Sequence, residues 1–214
     1  MNTSLKNTYD SIIFDLDGTL WDSTGVVAEA WQAAKNEVDF INEDITADMV
    51  KGITGMTYKA IFEKLFPYLT DEKREEYKAI AAKYELKVLH TKGGELYPKL
   101  EETLQYLVQK YRLFIVSNCQ SGYIEVFFKT SGLEKYFQGH QCYGTKNAPK
   151  ADNIKDIIND HGLKAPIYVG DTMGDYNAAV GAGVPFIFAA YGFGKVEEGQ
   201  VATLQKVSDL IELV

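Results

Sequence analysis

Two carboxylates one residue apart, Asp15 and Asp17, stand in the run Asp15-Leu16-Asp17-Gly18-Thr19, directly after the apolar stretch Ser11-Ile12-Ile13-Phe14. Such a stretch reads as a buried strand, and the carboxyl end of a strand is where ligands bind in an open α/β sheet. Like charges about 5 Å apart repel by roughly 3 kcal/mol at an effective dielectric of 20, so paired acids there either share a proton or hold a cation. Gly18 lets the chain turn at positive φ or lets a ligand approach the backbone. A plain strand-ending turn also uses Asp and Gly, but the same pattern occurs twice more. Leu113-Phe114-Ile115-Val116 ends in Ser117-Asn118, and Ile167-Tyr168-Val169 ends in Gly170-Asp171-Thr172-Met173-Gly174-Asp175. If the three strands run parallel in one sheet, Asp15, Asp17, Ser117, Asn118, Asp171 and Asp175 gather around one crevice.

The elements that position these residues alternate between strand and helix, except in one block. Residues 23–90 read as helices, with one apolar stripe through Val26, Val27, Ala30, Trp31 and Ala34 and another through Tyr77, Ile80, Ala81, Tyr84 and Val88. Thr91-Lys92-Gly93-Gly94 then offers a glycine hinge, and Pro98 opens a helix through Leu100, Leu104, Leu107 and Val108. The helical block reads as an insertion into an α/β core. Gln141-Cys142-Tyr143 and Phe186-Ile187-Phe188-Ala189-Ala190 complete an expected sheet of five strands, and the stripe Leu204, Val207, Leu210, Ile211, Val214 reads as a closing amphipathic helix. Tyr191-Gly192-Phe193-Gly194 is expected to turn the chain rather than to line the site. The interruption of helical pattern at residues 49–55 marks a candidate specificity loop.

In order and spacing these motifs resemble those of the haloacid dehalogenase superfamily, in particular its phosphatases related to phosphoglycolate phosphatase, over most of the chain. Asp15 to Thr19 matches the DxDGT motif, Ser117 the second motif, Lys150 the third, and Asp171 with Asp175 the GDxxxD motif. Lys150-Ala151 departs from the family's frequent Lys-Pro, and Lys146 lies close by as a competitor. Lys150 is preferred because it precedes Asp152-Asn153-Ile154, where a helix begins. The resemblance implies a doubly wound, mainly parallel Rossmann-like α/β core (residues 1–22 and 91–214) with an inserted helical cap (23–90). It also implies a magnesium-dependent phosphatase acting through an aspartyl phosphate. In that scheme Asp15 is the nucleophile, Asp17 the acid and base, and Ser117, the backbone NH of Asn118 and Lys150 bind the phosphoryl group. Mg2+ is held by Asp15, Asp171 and the main-chain oxygen of Asp17, with Asp175 orienting a bound water or Lys150. A phosphoglucomutase-like isomerase, a phosphonatase using Lys51 or Lys59 and a non-catalytic phosphate-binding module are the rival expectations.

Bulk composition bounds the partner classes, and an anionic substrate would need a local basic pocket in so acidic a chain. The net charge of −8 argues against a broad nucleic-acid or anionic-membrane surface. The partner that the resemblance implies is a small phosphorylated metabolite, and a monomer or homodimer is expected. Residues 1–6 carry no apolar signal core and no run is long enough to span a bilayer, which makes the cytoplasm the expected compartment. Cys119 and Cys142, the chain's 2 cysteines, are too few for a disulfide framework and lack the neighbours of a zinc site.

Overall fold

A computed structural model describes Leu5 and residues 8–214; residues 1–4, 6 and 7, and with them most of the segment where no apolar signal core is expected, lie outside the described residues. In chain order, β1 (Ser11–Phe14) is followed by a two-residue strand β2 (Trp21–Asp22) and four helices, α1 (Thr24–Lys35), α2 (Ala47–Lys51), α3 (Tyr58–Leu65) and α4 (Asp71–Lys92). Next come β3 (Glu95–Leu96), α5 (Leu100–Leu107), β4 (Arg112–Ser117), α6 (Tyr123–Ser131), β5 (Gly139–Cys142), α7 (Tyr143–Lys146) and α8 (Lys150–His161). The chain closes with β6 (Pro166–Gly170), α9 (Met173–Gly181), β7 (Phe186–Ala189), β8 (Ala202–Leu204) and α10 (Leu210–Leu213).

The central sheet is parallel throughout, in the order β5-β4-β1-β6-β7-β8. From β1 the chain winds outward through β4 and β5, then returns to build β6, β7 and β8 on the other side. The switch in winding direction therefore falls at β1, and a crevice opens there beyond the strand ends. Alternation along β1 sends Ile12 and Phe14 into one hydrophobic cluster and Ile13 into another across the sheet. Both faces are covered, which is why these strands read as unbroken apolar runs.

The structure corrects the sequence reading in three places. The sheet has six strands, not five, because Ala202–Leu204 pairs with β7. That pairing removes Leu204 from the expected closing helix. The remaining positions form a 3-10 turn (Val207–Asp209) and the short α10, and Leu204, Val207, Leu210 and Leu213 are all buried at a spacing of three residues. Thirdly, β2 and β3 form an antiparallel ladder pairing Trp21 with Leu96 and Asp22 with Glu95, just where the chain leaves for the helical block and returns. Gly94 is required there, since a Cβ would lie 2.6 Å from the Trp21 ring. No described helix is long and apolar enough to cross a membrane.

Candidate active site

The ends of β1, β4 and β6 bring the expected residues to one edge. Asp15 follows β1 directly, its NH donating to the Val169 carbonyl (2.8 Å), and its carboxylate is buried. Lys150, the first residue of α8, reaches back to donate to Asp15 Oδ1 (2.8 Å) and Asp175 Oδ1 (2.6 Å), and all three side chains are almost inaccessible. Lys146, by contrast, pairs with Asp156 on the surface (2.6 Å). Asp175 is fully engaged: its Oδ2 accepts from the Thr172 NH (2.9 Å) and hydroxyl (2.6 Å), closing a reciprocal cap at the start of α9. Asp171 accepts from the Phe193 NH at Oδ2 (2.8 Å). It is enclosed by two glycines, since a Cβ at Gly18, where φ is +81°, or at Gly192 would stand 2.3 or 2.4 Å from Asp171 atoms.

Charge does not balance in this cluster. Asp15, Asp171 and Asp175 each offer a carboxylate oxygen within 4.8 Å of the others, and Lys150 is the cation paired with Asp15 and Asp175. Burial, reinforced by Asp175, pushes the Asp15 carboxyl upward against Lys150, and burial with Asp175 and Asp15 pushes Asp171 well up. Burial opposes the Lys150 charge, yet Asp15 and Asp175 hold it well above the ordinary lysine value. Such a donor set fits a hard divalent cation, which prefers carboxylate oxygens and offsets the excess negative charge. Asp175 is committed to the Lys150 ammonium at one oxygen and to two Thr172 donors at the other. Asp15 meets Lys150 through Oδ1, and Asp171 accepts, among the described residues, only from the Phe193 NH and, at 3.5 Å, the Thr19 hydroxyl, so these two are the carboxylates that fit best as ligands.

Asp17 sits in a different environment. Its Oδ1 is 2.6 Å from Ser23 Oγ, 2.9 Å from the Trp21 indole nitrogen and 2.9 Å from the Tyr123 hydroxyl. Donors converging on one oxygen leave Oδ2 as the place for a proton. Burial raises its carboxyl above the usual carboxylate range, although bonds from Ser23, Tyr123 and Trp21 pull the other way. Ser117 and Asn118 stand at the end of β4 on the wall of the same cavity. The Asn118 amide also donates to the carbonyl of Gly55 (2.8 Å), so the helical block touches the core within the site.

That cavity, about 60 Å³, runs from Asp15 and Asp17 up into the helical block, where Val50, Ile53 and Met56 form apolar walls. The expected specificity loop thus faces the site. At its upper end Glu85 of α4 is buried, accepting from Trp31 Nε1 (2.6 Å), Gln120 Nε2 (2.8 Å) and the Tyr58 hydroxyl (3.1 Å). Burial raises its carboxyl from 4.5 to about 7 despite those three bonds. A carboxyl whose folded value exceeds its unfolded value stabilises most below the unfolded value and loses that contribution as pH rises through the folded one. Thermal midpoints of the wild type relative to Glu85→Gln should therefore fall between about pH 4.5 and about pH 7. A flat difference would show that Glu85 titrates as in the unfolded chain.

The sequence reading passed over Ser23 and Tyr123 around Asp17, and Glu85 above it. Tyr191-Gly192-Phe193-Gly194 does turn the chain, the Gly192 NH donating to the Ala189 carbonyl (3.1 Å), but it also reaches the site, contrary to expectation: the Phe193 NH and Gly192 pack on Asp171 and the Tyr191 hydroxyl donates to the Thr19 carbonyl (2.8 Å). The available signal was position, since this segment leaves β7 at the same sheet edge as the acids. Cys119 lines the cavity, and both it and Cys142 are free thiols.

Comparison with known proteins agrees with this architecture. A sequence model described as haloacid dehalogenase-like hydrolase matches residues 12–189. A phosphoglycolate phosphatase of Aquifex aeolicus is 33% identical over 213 residues, covering 95% of each chain, and one from Aliivibrio fischeri is 27% identical, covering 92% of this chain and 91% of that one. A haloacid dehalogenase-like hydrolase from Streptococcus pneumoniae superposes with a TM-score of 0.83 at 24% identity over 95% of this chain and 97% of its own. The chain therefore belongs to the haloacid dehalogenase-like hydrolases.

Proposed function

We propose that this phosphatase cleaves a small phosphate monoester in two displacements, with Asp15 as nucleophile and Asp17 as acid and base. The observation that carries this reading is the division of labour between the two acids. Asp15 is held against a buried ammonium, while the half-buried Asp17 is caged by neutral donors on one oxygen and its carboxyl is raised by desolvation. In the first displacement an Asp15 oxygen bonds to phosphorus, the ester bond breaks, and the departing oxygen takes the proton from Asp17. Water then attacks the aspartyl phosphate, gives a proton back to Asp17, and free phosphate leaves as the bond to Asp15 breaks. Ser117, the Asn118 NH and Lys150 stabilise the charge spread over the phosphoryl oxygens. Asp15, Asp171 and the main-chain oxygen of Asp17 would hold Mg2+, which when bound supplies positive charge to the phosphoryl oxygens. Asp175 positions Lys150 and the start of α9.

The relatives' names make phosphoglycolate the reference ester. A phosphonatase route needs a lysine in the cavity. Lys59 instead pairs with Glu63, and Lys51 lies over the Phe193 ring. The test is borohydride trapping during turnover of a small ester with magnesium present. Reduction should convert residue 15 to homoserine, detected in the corresponding peptide, and a chelator should abolish it. Phosphate release without modification of that peptide would remove Asp15 from the role of nucleophile. Asp17→Asn is expected to cut turnover of alkyl phosphates by roughly 10²–10⁴-fold and that of p-nitrophenyl phosphate much less, because a good leaving group needs no proton. Equal losses on both esters would contradict the assignment of Asp17.

A further inference from the structure

Among the described residues, the wall of the cavity carries acids and no cation. Of its wall residues Asp15, Asp17 and Glu85 are acids, and no lysine, arginine or histidine lines it among the described residues. Lys150 lies below, bonded to Asp15 and Asp175. Lys59 and Lys78 line a separate cavity and pair with Glu63 and Glu75. Glu85 accepts three bonds, all from neutral groups, while a carboxylate has about four lone-pair sites, so one acceptor position remains on Oε1. A second acceptor is left over nearby: Asn118 lines the cavity, and its side-chain oxygen is buried without a hydrogen-bond partner. Buried acceptors of this kind are costly unless something donates to them.

We propose that the natural leaving group is a short carbon chain carrying an ammonium group and no carboxylate, with its nitrogen seated against Glu85. This inference rests on the phosphatase reading above and adds the class of substrate. Apolar Val50, Ile53 and Met56 suit the methylenes, and the Trp31 and Tyr58 rings beside Glu85 suit a cation. An ammonium supplies the countercharge that Glu85 lacks, and a charge-assisted bond is about twice as strong as a neutral one. A carboxylate in the same place meets acids and no cation. The cavity's small volume limits the chain to a few heavy atoms.

The experiment compares kcat/KM for three esters of similar size, 2-aminoethyl phosphate, ethyl phosphate and phosphoglycolate, with p-nitrophenyl phosphate as an activated control. The wild type is expected to favour 2-aminoethyl phosphate over ethyl phosphate by roughly tenfold or more, as a hydrogen bond to a charged group allows, and to turn over phosphoglycolate more slowly than ethyl phosphate. Glu85→Gln should bring the amine-to-ethyl ratio near unity, since the negative charge facing the ammonium is lost. Phosphoglycolate outpacing ethyl phosphate, or a wild-type ratio near unity, overturns the inference while the phosphatase reading stands. No release from any of the four esters overturns both. The wild-type ratios decide the matter even where Glu85→Gln folds poorly.

Discussion

Asp15→Asn is expected to lose turnover by roughly 10⁴-fold or more while its thermal midpoint stays level or rises. The two halves of this result have separate causes. Asparagine has nearly the same shape but is a poor nucleophile toward phosphorus, so the first displacement fails. Stability follows a different logic, because Asp15 is an acid buried beside another acid. Burial and Asp175 both disfavour its charge, and Lys150 retains Asp175 as partner after the substitution. Phosphate release and thermal unfolding on the same preparation check both halves. A folded variant with appreciable activity would mean that another group attacks phosphorus.

Lys150→Met should be the most destabilising single change in the site. Removing one partner from a buried ion pair costs about 3–5 kcal/mol, which for a domain of this size corresponds to roughly 6–20 °C in thermal midpoint. Methionine keeps much of the side-chain volume, so the loss reports the charge: Asp15, Asp171 and Asp175 would remain buried together with no ammonium among them. Activity should vanish as well. Lys146→Met is the control. Its exposed pair with Asp156 lies outside the cluster, and neither midpoint nor activity should move. A midpoint for Lys150→Met within the error of wild type would show that the cluster is neutralised by protonation instead.

The catalytic edge was legible because buried parallel strands advertise themselves. Ile12 to Phe14, Leu113 to Val116 and Ile167 to Val169 are apolar without interruption, so the polar residues that follow each run stand out. Glu85 gave no such signal. It lies in α4, whose sequence is crowded with exposed acids and lysines, and only the fold shows that this acid turns inward under Trp31 and Tyr58. The sixth strand is three residues long and begins at an alanine, too short for alternation to be read. The closing segment misled for a related reason: a three-residue spacing of leucines and valines suits an α-helix and a 3-10 turn equally well. Asp17's surroundings were hidden because Tyr123 is 106 positions away along the chain.

The β2–β3 ladder has a mechanical consequence. Because outgoing and returning chain are bonded side by side, the helical block is tethered to the core along one line rather than at two independent points, and a short ladder of this kind acts as an axle. Trp21 is part of that axle, and its indole also holds Asp17. The ladder and the Asp17 carboxylate therefore share one side chain. A substitution that loosens the ladder would thus be felt at Asp17, whose Oδ1 stands 2.9 Å from the indole nitrogen.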